Sequence, residues 1–290
     1  ASLNRIEIQG MNKKYFVSYG DTNYTESLNR IGREAESLGL FDEVRLYSDS
    51  SLPEPFKGYT QRYKRGGGYW MWKPWVVHDM LERMDEGDIV VYADAGCTLL
   101  PHSDWNMYFG RLEKKDKEAI FFIAEGKNRR WCKRDVFSFF TPKDDSWKNA
   151  NQIQATFFIV RKSRGNAVFS RWYDVALNHP ELFIDVCHDD KCNEAPAFRE
   201  HRHDQSVLTA CVCTAPKLSD FLFMPEKMEK RYPDGQALLA SRISATERRG
   251  VNVACTPQNR LVAFFKLNIV KPLQRCKTLY YFRRSRLLNR

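Results

Sequence analysis

Two short apolar runs separated by one amphipathic stretch open the chain, and this alternation limits the fold more than any other feature. Residues 14–19, KYFVSY, form a run that stops at Gly20-Asp21-Thr22. From Tyr24 to Leu38, apolar side chains return at three- and four-residue steps (Leu28, Ile31, Ala35, Leu38), the spacing of one helix face, and Gly39 supplies a stop. Phe41 to Tyr47 reads as a second strand. Strand, helix, strand in that order predicts a parallel pair joined by a right-handed crossover. The alternation continues. Pro74 opens a helix carrying Val76, Val77, Met80, Leu81 and Met84, Gly87 ends it, and Ile89 to Ala93 is the next strand. Further strands are expected over 119–124 and 155–160, and an amphipathic helix over 165–177. With no internal repeat and no low-complexity linker, the expectation is one α/β domain over 1–290 with a mostly parallel central sheet. Residues 1–12 form an extension, and 216–290 form an irregular C-terminal arm with a basic tail.

Composition narrows the partners. At 290 residues and 43% hydrophobic content the chain can bury a full core. The net charge of +10 favours anionic ligands. It is concentrated late: Lys271 to Arg290 holds seven Lys or Arg and no acid, interleaved with Tyr280, Tyr281 and Phe282. No nucleic-acid motif accompanies this run, so nucleic acid is not the expected partner, whereas peripheral contact with a membrane through the tail is open. No apolar run approaches a membrane span, and the N-terminus lacks a signal-peptide core. Localisation stays open: cytoplasmic or membrane-peripheral is favoured, and the Golgi lumen fits if the chain is part of a longer protein. Asn23-Tyr24-Thr25 is a glycosylation sequon by pattern alone.

Five stretches carry chemistry. The strand of "VVYADAGC", 90–97, ends on Asp94-Ala95-Gly96, which is either a turn or a carboxylate held at the carboxyl edge of a parallel sheet, where open α/β folds bind ligands. "KRGGGYWMWKPW", 64–75, combines three glycines, the stacking faces of Trp70 and Trp72, and the charges of Lys64, Arg65 and Lys73 ahead of a helix. "CHDDKC", 187–192, and "CVC", 211–213, could contribute to a zinc site, although their spacing matches no common module, or Cys187 and Cys192 could form a disulfide. In "HRHDQS", 201–206, His201 and His203 alternate on one face, and Asp204 is either an N-cap or a functional carboxylate.

Together, "SYGD" after the first strand, "GGGYWMWKPWVV", "YADAGC", "WCKRD" at 131–135 and "HRHDQS" resemble the small GT-A glycosyltransferases of bacterial polysaccharide clusters, viruses and algae. The resemblance runs from about residue 13 to 215. It implies a Rossmann-like GT-A fold that moves a sugar from a nucleotide-diphosphate donor to a hydroxyl on a glycan or glycoconjugate, with retention weakly favoured. Ser18, Tyr19, Gly20 and Asp21 would hold the nucleotide, as would Asp94, Ala95 and Gly96, with Arg65 and Lys73 on the phosphates and Trp70 and Trp72 as walls. Gln154, Asp204 and Gln205 would face the reacting sugar. A divalent metal (manganese or magnesium) would sit on Asp94, with His203 as a second ligand, although Gly96 stands where the family's Asp-x-Asp motif has its second carboxylate. Two other classes compete: a sugar-phosphate nucleotidyltransferase, and a non-catalytic carbohydrate- or phosphate-binding module.

Overall fold

The computed structural model describes residues 12–141, 143, 146–244 and 258–288. A six-stranded sheet in the order β2-β1-β3-β6-β5-β7 forms its centre. The strands are β1 (Lys14–Tyr19), β2 (Glu43–Tyr47), β3 (Ile89–Ala93), β5 (Ala119–Lys127), β6 (Asn151–Arg161) and β7 (Phe221–Pro225). A short β4 (Thr98–Leu99) pairs separately with β8 (Leu238–Leu239). β1 pairs parallel with β2 and with β3, and β5 pairs parallel with β7. β6 alone runs the other way, antiparallel to both β3 and β5. The expected α/β class with a mostly parallel sheet is present, and the reversal at β6 is the feature that periodicity could not show.

Burial explains the runs. β1 and β3 are buried almost throughout because helices cover both faces of the sheet, so they read as continuous apolar stretches rather than alternations. One face carries Val76, Val77, Met80, Phe158, Phe169 and Trp172, and the other carries Ile31, Ala35, Trp105, Phe109, Phe122 and Phe157. The second helix begins at Trp72 rather than Pro74. Pro is tolerated there because the first turn's N–H groups have no intrahelical acceptor.

The C-terminal arm departs from expectation. It is not irregular throughout: β7 extends the sheet edge, β8 crosses to β4, and the tail is helical over Arg260–Phe265, through a π turn at Lys266–Val270, and over Lys271–Leu288. Residues 240–243 return to the carboxyl end of β3. There the Ile243 N–H donates to the Gly96 carbonyl at 3.0 Å, the Ser241 hydroxyl donates to the same oxygen at 3.1 Å, and the Ser27 hydroxyl holds the Ile243 carbonyl at 2.8 Å.

Candidate active site

At the carboxyl ends of β1 and β3 lies a cavity of about 510 Å³, lined by Tyr19, Gly20, Asp21, Lys64, Gly66, Gly67, Trp70, Trp72, Asp94, Ala95, Gly96, Thr156 and Arg242, among others. A smaller one of about 210 Å³ adjoins it, lined by Arg65, Lys73, Glu200, His201, Arg202, His203, Asp204 and Gln205. Trp70, Asp94 and Thr156 line both. The larger cavity meets the strand ends where open α/β sheets bind ligands.

The glycines build the wall between them. Gly66, Gly67 and Gly68, then Tyr69 and Trp70, all have positive φ (57°, 52°, 91°, 54° and 58°), so the segment makes a left-handed turn. Glycine enters that region freely, whereas an L side chain pays roughly 1–2 kcal/mol per residue. At Gly68 a Cβ would also lie 2.9 Å from the Tyr59 backbone carbon. The turn is closed by Tyr69 N–H donating to the Arg65 carbonyl at 2.7 Å and Trp70 N–H donating to that of Gly66 at 3.1 Å. Its product is a fixed direction for two indoles. Trp72 stacks on Tyr19 at 3.9 Å between ring centres, and Trp70 stacks on His203 at 5.4 Å. His203 and Arg242 also have positive φ, so four of the five described non-glycine residues in that region gather at this site. Strain of this kind persists where the surroundings over-determine it, and it concentrates at functional sites.

Lys73 ties the two cavities together. Its ammonium lies 3.0 Å from Asp94 Oδ1 and 2.6 Å from Asp204 Oδ2, and it donates to the Ala155 carbonyl at 3.2 Å. The side chain is 2% exposed, and Asp204 is almost as deeply buried. Burial lowers the Lys73 pKa, but the two carboxylates outweigh it and the net shift is upward. Burial raises the Asp204 carboxyl, the nearby Asp94 charge adds to that, and Lys73 opposes it without cancelling it. Asp94 keeps an outlet to the cavity: its Oδ1 also accepts from Tyr92 at 2.7 Å, and its side chain is 30% exposed.

Most of the expected site residues converge, and several change role. Tyr19, Gly20, Asp21, Trp70, Trp72, Asp94, Ala95 and Gly96 line the larger cavity; Arg65, Lys73, His203, Asp204 and Gln205 line the smaller. Ser18 does neither, being fully buried with its hydroxyl donating to the Ala93 carbonyl at 2.8 Å. Gln154 is outside the lining of both cavities, and the β6 residue that reaches both is Thr156, two positions on. Lys73 is engaged by Asp94, Asp204 and the Ala155 carbonyl and does not line the larger cavity; the cations that do are Lys64 and Arg242, the latter paired with Glu229 at 2.6 Å. Arg242 is on the arm, which no motif marked. Asp204 does not cap a helix: the helix runs His203–Cys213, and Asp204 sits in its first turn. Arg65 is turned partly outward onto Asp185, with both contacts at 3.1 Å.

The donor set does not fit a protein-held divalent cation. Such ions want several hard oxygen ligands. Asp94 already engages Tyr92 and Lys73 through one oxygen, and Gly96 offers none. A Cβ on Gly96 would lie 3.4 Å from Arg242 Cα and from the Ile243 carbonyl oxygen, so the arm packs directly against the position of the missing second carboxylate. In the His203 imidazole, Nδ1 bonds the Phe183 carbonyl at 2.6 Å, Nε2 lies 3.7 Å from Asp185 Oδ1 without a hydrogen bond, and the ring is flanked by Tyr69 and Trp70. No group of three or more His, Cys, Asp or Glu is placed to hold a metal among the described residues. The zinc expectation therefore finds no site there, and Cys187 and Cys192, both exposed, are not joined to each other as a disulfide.

No family model matches the chain, and no curated protein matches it in sequence. Several solved structures are similar. A glycosyltransferase involved in the glycosylation of the major capsid of PBCV-1 aligns at 10% identity over 81% of this chain and 97% of its own, with a TM-score of 0.46. The galactosyltransferase LgtC, in complex with donor and acceptor sugar analogues, aligns at 12% identity over 91% of this chain and 82% of its own, with a TM-score of 0.37. Mouse xyloside xylosyltransferase 1 aligns at 10% identity over 76% and 87%, with a TM-score of 0.39. Likeness at this level transfers no chemistry, and the functional reading rests on the cavities.

Proposed function

We propose that the protein is a GT-A glycosyltransferase that binds a nucleotide-diphosphate sugar in the larger cavity and passes the sugar to a hydroxyl acceptor entering through the smaller. The observation that carries this reading is the Asp94–Lys73–Asp204 bridge, which joins the floor of one cavity to the wall of the other. Tyr19, Trp72 and Asp21 suit a base and ribose, because stacked rings flank a carboxylate there. Lys64 and Arg242 supply positive charge where the diphosphate would lie. Preorganised charge of this kind stabilises a leaving group without costing reorganisation at the moment of reaction. No step here is routed through a metal.

Asp204 lines the smaller cavity, but it is held by Lys73 at 2.6 Å. A carboxylate so tied is poorly placed to collect the acceptor proton and well placed to stabilise positive charge at the anomeric carbon. That favours retention of configuration. Gln205 helps set the position: its Nε2 donates to Gln152 Oε1 at 2.7 Å, which fixes its carboxamide beside Asp204.

A thermal-shift screen of nucleotide-diphosphate sugars, with and without manganese, on the parent and on Asp94→Asn tests this. At least one donor should raise the melting temperature of the parent, because a ligand that binds only the folded state stabilises it. The same donor should fail on the variant and yield free nucleoside diphosphate with the parent. Pyrophosphate release from a sugar phosphate and a nucleoside triphosphate would instead establish a nucleotidyltransferase. Binding without turnover would establish a binding module.

A further inference from the structure

The C-terminal helix has two unlike faces. One is docked on the body: Ala263, Lys271, Thr278 and Phe282 are buried, the Thr278 hydroxyl accepts from the Asn151 N–H at 3.3 Å, and Phe282 packs edge-on against Phe223 at 5.6 Å. Lys271 is locked to Glu226. The other face is apolar and bare. Nine large hydrophobic side chains are exposed among the described residues, and seven of them are here: Leu261, Val262, Phe264, Phe265, Ile269, Leu273 and Tyr280. Leu261 is 78% exposed and Phe264 62%.

The pattern is continuous. Leu261, Phe265, Ile269 and Leu273 recur every four residues, a step that drifts only about 40° per turn on an α-helix, and the wider π turn at Lys266–Val270 takes up part of that drift. Scattered surface apolar residues need no explanation, but a contiguous stripe does.

The charge says what the stripe faces. From Arg260 to Arg290 there are nine Lys or Arg and no Asp or Glu. Lys266 and Lys271 are paired with Glu125 and Glu226, whereas Arg275, Lys277, Arg283 and Arg284 have no ion pair among the described residues. Two copies of such a helix would repel each other, which argues against self-association. An anionic surface that also accepts apolar side chains complements both features, and that is a bilayer carrying acidic headgroups. No described helix is long and apolar enough to cross a membrane, so a helix of this kind lies along the interface.

We infer that the face Leu261–Tyr280 of the C-terminal helix seats the protein on an anionic membrane surface. The stripe enters the headgroup–acyl boundary and the flanking basic residues meet lipid phosphates. The inference is independent of the reaction proposed above.

The test is co-sedimentation of the whole chain with vesicles of neutral phosphatidylcholine, and with vesicles containing about 30% acidic phospholipid. The parent should partition at least roughly tenfold more strongly to the acidic vesicles and be released at about 0.5 M salt. Phe264→Glu with Phe265→Glu should abolish partitioning and leave the melting temperature unchanged, since both side chains are exposed. Arg283→Glu with Arg284→Glu should weaken it severalfold. Failure of the parent to bind acidic vesicles, equal binding to neutral ones, or undiminished binding of the Phe264/Phe265 variant would each overturn the inference. So would a dimer in sizing chromatography that the same variant dissociates, because the stripe would then belong to a second copy.

Discussion

Lys73 reaches Asp204 at 2.6 Å with both side chains buried, and the same ammonium holds Asp94 at 3.0 Å. A buried cation shared by two carboxylates makes both stability and chemistry depend on one side chain. Removing either acid leaves one counter-charge, whereas removing the lysine leaves the buried Asp204 and the half-buried Asp94 with none.

Asp204→Asn should therefore do more than a lost cap would. Breaking a buried pair costs about 3–5 kcal/mol, and because Asp94 still holds Lys73 the lower end applies, a melting shift of roughly 5–10 °C. Sugar transfer should fall at least roughly a hundredfold, while nucleotide binding in the larger cavity persists. Calorimetry and initial rates on the folded variant separate the two effects.

Lys73→Met should be worse than either acid variant. With the ammonium gone, burial and the neighbouring Asp94 both push the Asp204 carboxyl further upward, so the folded variant holds a proton there to higher pH than the unfolded chain does. The variant should lose more stability at pH 8 than at pH 5, which parallel melts would show.

Gly68→Ala should cost more than Gly67→Ala. Both force an L residue into the left-handed region, about 1–2 kcal/mol each, but at Gly68 the new methyl also meets backbone at 2.9 Å. At Gly67 it meets side chains alone, Asp21 Oδ2 at 3.3 Å and Trp72 Nε1 at 3.6 Å. Gly67→Ala should accordingly keep most of its stability and lose donor affinity, a split that melting and binding titrations read together.

Stability should decline below about pH 6.5. His201 and His203 are both held below the usual imidazole value, chiefly by burial. Their folded values lie under the unfolded one, so the unfolded chain binds more protons as pH falls through 6.5, and stability present above that pH is lost below it. Each ring can contribute a slope of up to about 1.4 kcal/mol per pH unit. His201→Gln should flatten the profile.

Chelator should leave most of the transfer activity in place, because Lys64 and Arg242 rather than a protein-held cation face the proposed diphosphate site. Complete loss with EDTA and recovery with manganese would show that the donor's own oxygens complete a coordination shell that the protein only begins.

The strands were legible in the sequence because buried parallel strands are unbroken apolar runs, and Ile89–Ala93 fell where those residues said it would. The direction of β6 was not, since residue order carries no sign of strand polarity. Asp94 was legible as the end of a strand, and Asp204 as a carboxylate beside two histidines. That a lysine from residue 73 would join them was invisible, because the contact spans 131 positions to Asp204 and depends on how the helices pack. Gln154 and Thr156 lie on one face of a period-two strand, and nothing in the sequence shows that the cavities open two positions beyond Gln154. The contribution of Arg242 had no local signal at all.

The hydrogen bond from Ile243 to Gly96 has a consequence for the protein's birth. The ribosome makes β3 long before it makes the arm, and at about 5–20 residues per second the roughly 150 residues between them take about 8–30 s. Throughout that interval the nascent chain carries Asp94 with one wall of its cavity still unwritten. A ligand arriving then finds no enclosure, and the cavity closes only once the arm has been made.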